Sequence, residues 1–138
     1  MIVWREQKMS VGNTMIDADH RYLMCLINTV ELALRSESYR DVIDIVLEQL
    51  EQYAREHFDR EEKLQVELRY IRYDQHAQRH RELLRELDQI RSRVQALATP
   101  EAAAAIAGEI AQLLRHWLVN HIFQEDMLLK PLFAQQRR

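Results

Sequence analysis

The sequence predicts an all-α protein, an antiparallel up-down-up-down bundle of four helices preceded by an irregular N-terminal arm. Three observations carry that reading. Apolar residues recur at alternating steps of three and four along four long stretches, the rhythm of a helix face turned toward a core. Only two glycines and two prolines stand among 138 residues, while the abundant Ala, Leu, Glu, Gln and Arg favour helix. The breaks between the periodic stretches are short, and short links make consecutive helices antiparallel neighbours. Residues 1–138 are expected to form one domain, long enough to bury a sizeable core.

Residues 1 to 15 lack helical rhythm; Gly12-Asn13 signals a turn, and Trp4 and Val11 are available to pin the arm to the body. The first helix is expected from Asp17 to about Arg35, with Ile16, His20, Leu23, Ile27, Val30 and Leu34 on one stripe. Ser36 to Ser38 form a polar break. The second helix should run from about Tyr39 to Glu67, with Val46, Leu50, Tyr53, His57, Glu61 and Leu64 along one side. A third, from about Ile71 to Leu97, carries the cleanest seam: His76, His80, Leu83, Leu87, Ile90, Val94 and Leu97. Thr99-Pro100-Glu101 starts the fourth, because Thr can cap, Pro is preset for the first helical position and Glu suits the positive end of the helix dipole. Ala103, Ile106, Ile110, Leu113, Trp117 and His121 follow. Pro131 must disturb any helix that reaches it.

Charge argues against several classes of partner. The net charge of −3 and the isoelectric point near 6.1 give no reason to expect nucleic acid or an anionic membrane surface. Arg79, Arg81, Arg85, Arg91 and Arg93 crowd one segment, but Glu82, Glu86 and Asp88 interleave with them, as on a solvated helix face. The uncharged runs Tyr22 to Val30 and His116 to Gln124 fall far short of the roughly 20 residues of a membrane helix. At the N-terminus Arg5, Glu6 and Lys8 interrupt any secretory-type apolar run. The lone Cys25 is expected to be a free, buried thiol in a reducing compartment, so a cytoplasmic protein is the default.

Five of the six histidines, and Glu61 with them, occupy positions where the periodicity asks for Leu or Ile. A buried carboxylate without a partner costs several kcal/mol, and a cation shared among these groups would be that partner. His57 and Glu61, like His76 and His80, are spaced i,i+4, about 40° apart around a helix, so each pair can chelate. His20 and His121 add ligands from the other two walls, and Asp126 is a seventh candidate. Five imidazoles and two carboxylates exceed what one ion accepts, so two ions are implied. His121 and Asp126 are five residues apart, roughly 140° around a regular helix. If both serve one centre, the last helix must stay regular through Trp117 and be broken or bulged between His121 and Asp126. His116 lies off the pattern and is expected at the surface, as are Arg60 and Glu62; Met24 is a packing residue and a possible pocket wall.

With these residues in view the chain resembles the hemerythrins, in particular their single-domain bacterial members. Val11-Gly12-Asn13-Thr14-Met15-Ile16-Asp17-Ala18-Asp19-His20, with Leu23 and Asn28, is similar to the family's first motif, and His57-Phe58-Asp59-Arg60-Glu61-Glu62 to its second. Tyr73-Asp74-Gln75-His76-Ala77-Gln78-Arg79-His80 resembles the paired-histidine motif, and Trp117-Leu118-Val119-Asn120-His121-Ile122 followed by Asp126 the last. The resemblance implies an oxo- or hydroxo-bridged, non-haem di-iron centre that binds dioxygen reversibly, for storage, delivery or sensing. In that pattern His76, His80 and His121 hold one iron, His20 and His57 the other, and Glu61 and Asp126 bridge both. Leu129 stands where many relatives carry Tyr.

An enzyme of the ferritin-like oxidase or peroxidase kind is disfavoured, because those bundles use Glu-x-x-His pairs and no histidine here has Glu three residues before it. A signalling module responsive to oxygen, nitric oxide or iron, and a bundle with structural zinc, are the remaining competitors.

Overall fold

The computed structural model describes residues 2–136, and its elements are helical. In chain order they are α1 (Glu6–Met9), α2 (Thr14–Leu34), α3 (Tyr39–Glu67), α4 (Tyr73–Gln95), α5 (Pro100–Gln124), a 3₁₀ turn (Asp126–Leu129) and α6 (Lys130–Gln136). Helices α2 to α5 make the expected antiparallel bundle. α2 packs on α3 and α5, α3 on α4, and the α4/α5 wall is the loosest. Among the described residues no helix is long and apolar enough to cross a membrane.

The helix ends follow local chemistry. Asn13 caps α2 by accepting from the Ile16 amide at 3.0 Å, and Gly12 enters the turn at φ +83°, where a Cβ would be strained. Thr99 caps α5 by accepting from the Ala102 amide at 3.1 Å, with Pro100 in the first turn. α3 closes with paired backbone bonds, Tyr70 N–H to the Gln65 carbonyl and Arg69 N–H to the Val66 carbonyl. This wrap places Arg69 at φ +55°, a left-handed position usually given to glycine.

One large cluster of aliphatic and aromatic groups fills the bundle from its middle to the end formed by Leu34, Tyr39, Val94 and Ala103. A smaller one, Val11, Ile16, Leu129 and Phe133, closes the opposite end, where the arm meets α6.

Several expectations need correction. The arm is not wholly irregular: α1 makes one helical turn, Ile2 exchanges two hydrogen bonds with Asn28 (2.8 and 3.0 Å), and Ile2 and Met9 are buried. Trp4 and Val11 do pin it. α2 begins three residues early because Asn13, not a later residue, supplies the cap. On α3 the buried line is Ile43, Leu47, Leu50, Ala54 and Phe58. Val46, Tyr53 and Leu64 sit half-buried at its edge, since a helix between two neighbours buries a face wider than one stripe. On α5, Leu114 and Ala107 face inward and Leu113 is exposed; small residues at 103 and 107 permit close helix approach. α4 starts at Tyr73, leaving Ile71 in the turn and almost wholly exposed. Cys25 is exposed, not buried, because it lies two residues from both Leu23 and Ile27 and so points away from their face. Pro131 starts a helix instead of ending one, standing in the first turn of α6, where its missing N–H is not needed.

Candidate metal centre

The four helices bring seven polar side chains together at the end of the bundle where α2 and α4 begin and α3 and α5 finish. His20 comes from α2, His57 and Glu61 from α3, His76 and His80 from α4, His121 from α5, and Asp126 from the 3₁₀ turn. All seven are at most 4% exposed.

Asp126 reaches the cluster because α5 breaks where the five-residue spacing requires it. The regular helix ends at Glu125 (φ −113°, ψ −53°), whose N–H still bonds to the His121 carbonyl at 2.9 Å, and the tighter 3₁₀ turn follows. Without that break Asp126 would project roughly 140° away from His121. Leu129, at the end of the same turn, is fully buried in the small cluster with Val11 and Ile16.

The side chains fall into two groups that share their carboxylates. Glu61, His76, His80, His121 and Asp126 form one; His20, His57, Glu61 and Asp126 form the other; within each, one potential ligand atom per residue lies within 4.8 Å of all the others. His76 Nε2 is 2.8 Å from Glu61 Oε1 and 2.9 Å from Asp126 Oδ1. His80 Nε2 is 3.1 Å from Glu61 Oε1, and His20 Nε2 is 2.9 Å from Asp126 Oδ2.

Hydrogen bonding accounts for only part of this proximity: His76 Nε2 bonds to Asp126 and His80 Nε2 to Glu61. His20 Nδ1 and Nε2, His57 Nε2, His121 Nε2, Glu61 Oε2 and Asp126 Oδ2 are buried without a hydrogen-bond partner among the described residues. His121 Nε2, for instance, lies only 3.0 Å from Asp126 Oδ1, yet does not aim at it in bonding geometry. An unpaired buried polar atom costs about 1–3 kcal/mol, so five of these atoms, all but His20 Nδ1, converging on one small volume call for a common partner. Imidazole nitrogens and carboxylate oxygens in this number are the donors of a transition-metal site, and the residues fit a bound cation better than they fit one another.

Behind the cluster lies a second layer that the periodicity did not reveal. His57 Nδ1–H donates to Asp19 at 2.9 Å, His80 Nδ1–H to Glu62 at 2.8 Å, and His121 Nδ1–H to Glu125 at 3.2 Å. The Gln65 amide faces His76 Nδ1 at 3.1 Å, and its oxygen is buried without a partner. Each of the three carboxylate bonds holds the proton on Nδ1 and turns Nε2 toward the cluster, as such outer groups do for metal-bound histidines. Arg60 and Glu62 are consequently half-buried, not surface groups. Phe58 stacks on His80 with ring centres 4.0 Å apart, Met24 is packed into the apolar cluster, and His116 is exposed as expected.

The electrostatics follow from this crowding. Burial and the neighbouring Asp126 push Glu61 up, but hydrogen bonds from His76 and His80 outweigh them and hold it well below the usual carboxylate range. Asp126 is held low in the same way, burial being overcome chiefly by His121. Burial pulls His76 and His121 down, and their contacts with Asp126 and Glu61 more than reverse it, to about 9 and about 10. His57 is lowered, burial outweighing its bond to Asp19.

Comparison with known proteins agrees with this geometry. The family described as "Hemerythrin HHE cation binding domain" matches residues 11–133. A protein named Bacteriohemerythrin from Stenotrophomonas maltophilia (strain R551-3) is 27% identical over 126 residues, covering 91% of this chain and 77% of its own length. Proteins of the same name from Pseudomonas paraeruginosa (strain DSM 24068 / PA7) and Pseudomonas aeruginosa (strain LESB58) are each 27% identical over 125 residues, covering 91% of this chain and 76% of their own.

Proposed function

The chain belongs to the hemerythrin family of metal-binding domains, and on that premise we propose that it binds dioxygen reversibly at a non-haem di-iron centre, as a carrier, store or sensor and not as an enzyme. The observation that carries this reading is the pair of overlapping side-chain groups, three histidines on one side and two on the other, joined by the same two carboxylates. In the proposal His76, His80 and His121 hold one iron, His20 and His57 the other, and Glu61 and Asp126 bridge them, within a single domain in the cytoplasm.

Two ferrous ions held this way would supply the two electrons that dioxygen takes up on binding and returns on release. The chain's own residues do the rest. Three histidines on one side and two on the other leave the His20/His57 side short of one protein donor, which is where a small ligand has room to bind. Leu23, Met24, Ile27 and Phe58 wall the bundle next to the cluster, excluding water and larger reductants. The dominance of imidazole over carboxylate disfavours strongly oxidising chemistry.

The test is the visible spectrum of the reduced protein under argon, then in air, then again under argon, with metal analysis alongside. A charge-transfer band that appears with air and disappears on degassing, at two irons per chain, is the expected result. Zinc in place of iron, or steady oxygen consumption with a reductant, would overturn it.

A further inference from the structure

We propose that Asp19 is a positioning residue for His57, fixing the tautomer and ring orientation with which that histidine meets a metal; the inference rests on the di-iron reading and concerns its two-histidine half. Asp19 is 4% exposed and immediately precedes His20. Its carboxylate accepts four hydrogen bonds. His57 Nδ1 and Arg60 Nε donate to Oδ2 at 2.9 and 3.0 Å, while Tyr53 Oη and Arg60 Nη2 donate to Oδ1 at 2.7 and 2.9 Å.

Each partner has a distinct effect. A carboxylate can only accept, so the proton between it and His57 must sit on Nδ1, and the lone pair on Nε2 is left facing Glu61 Oε2, 3.4 Å away. Arg60 grips both oxygens in the paired geometry that guanidinium and carboxylate favour, which fixes the plane of the carboxylate. Tyr53 occupies the remaining direction on Oδ1, and the Arg60 guanidinium lies 5.3 Å from the centre of its ring. Asp19 therefore cannot rotate without breaking several charged contacts at once, and neither can the ring it holds.

The lock also sets the register of two helices. Asp19 and His20 are consecutive on α2; Tyr53, His57 and Arg60 share one side of α3. His20 has no hydrogen-bond partner on either ring nitrogen, so among the described residues Asp19 is the hydrogen-bonded anchor of this half. On the other half, the three histidines have separate supports in Gln65, Glu62 and Glu125.

The experiment uses the full chain in two states. In the metal-free protein, nitrogen-15 NMR of the histidine rings is expected to show His57 protonated on Nδ1, and Asp19→Asn, which keeps the volume, to yield a mixture of tautomers for His57 while His76, His80 and His121 are unchanged. Anaerobic titration with ferrous iron against a competing chelator is expected to show the second equivalent weakened about 10- to 100-fold in Asp19→Asn, with the first equivalent unmoved. Arg60→Gln, which leaves Asp19 in place but frees its carboxylate plane, is expected to weaken the second equivalent by a smaller factor and serves if Asp19→Asn does not fold. A wild-type His57 protonated on Nε2, an equally tight second equivalent in the variants, or equal weakening of both equivalents overturns the proposal. Failure of the wild-type protein to take up iron would count against the di-iron reading alone, because the tautomer is read without metal.

Discussion

Leu34, Leu50, Leu87 and Ile110 occupy, toward one end of the bundle, the same four seams that His20, His57, His80 and His121 occupy at the other. The helices and the rhythm are shared, and the physics differs. Apolar packing is non-directional, so the aliphatic end gains from every methyl group it buries and asks only that volume be filled. At the polar end each buried atom needs a partner at a set distance and angle, and six atoms of the histidine–carboxylate cluster find none among the described residues. The aliphatic end thus folds the bundle, and the polar end spends part of that stability holding ligands in place.

The sharpest way to break this division is Glu61→Ala. It removes a carboxylate common to both groups and should strip nearly all metal, by metal analysis of purified protein. Retention of two metals per chain would show that Glu61 is not shared.

Leu50→Ala makes the converse cut. It should cost about 2–5 kcal/mol in urea unfolding while the folded fraction keeps its full metal content. Loss of metal in proportion to stability would mean that the two ends are not separable.

The next effect is one of pH, and it belongs to the polar end alone. In the metal-free protein His76 and His121 titrate at about 9 and about 10, above their ordinary 6.5. Their contribution to stability is complete below pH 6.5 and is lost as pH rises through 9 to 10. Glu61 and Asp126, held low, contribute above their ordinary values of 4.5 and 3.8 and lose that contribution in acid. His57, lowered from 6.5, runs opposite to the other two histidines and weakens the fold as pH falls below that value. The urea midpoint of the metal-free protein should therefore fall between pH 7 and 10, and iron binding near pH 7 should release the protons on His76 and His121 into a weakly buffered solution. A flat midpoint over that range would remove the charged cluster from the stability account.

Smaller still, Arg69→Gly should raise stability by about 1 kcal/mol, because the left-handed turn that ends α3 suits glycine. Thermal unfolding of the metal-free protein checks it; an unchanged midpoint would show that no strain resides there. His116→Ala, on the exposed face of α5, should change stability by no more than about 0.5 kcal/mol and leave the metal count intact. Loss of metal in that variant would mean the ligand assignment is wrong.

Much of this contrast was legible in the sequence, and for a physical reason. His20, His57, Glu61, His76, His80 and His121 stand out because a polar group in an apolar rhythm violates the expectation of burial, and the break before Asp126 could be inferred because 3.6 residues per turn cannot bring positions five apart to one point. Asp19, Glu62, Gln65 and Glu125 did not stand out, since a polar residue beside a stripe reads as a solvated one. Asp19 and Arg60 are 41 residues apart, and nothing in either helix's own periodicity announces that they meet. The displaced seam on α5, with Leu114 inward and Leu113 outward, escaped for a related reason: two adjacent leucines fit the rhythm equally, and only the approach of neighbouring helices decides between them.

The short 3₁₀ turn that delivers Asp126 has a kinetic consequence. Its far end carries Leu129 into contact with Val11 and Ile16 from the opposite end of the chain and with Phe133 of α6, so the two terminal segments meet as one plug over the polar end of the bundle. Asp126 cannot withdraw unless that plug loosens. Exchange of a bound metal is therefore expected to be slowed by the parting of the termini, a local opening that hydrogen exchange at the amides of Leu129 and Phe133 would time directly.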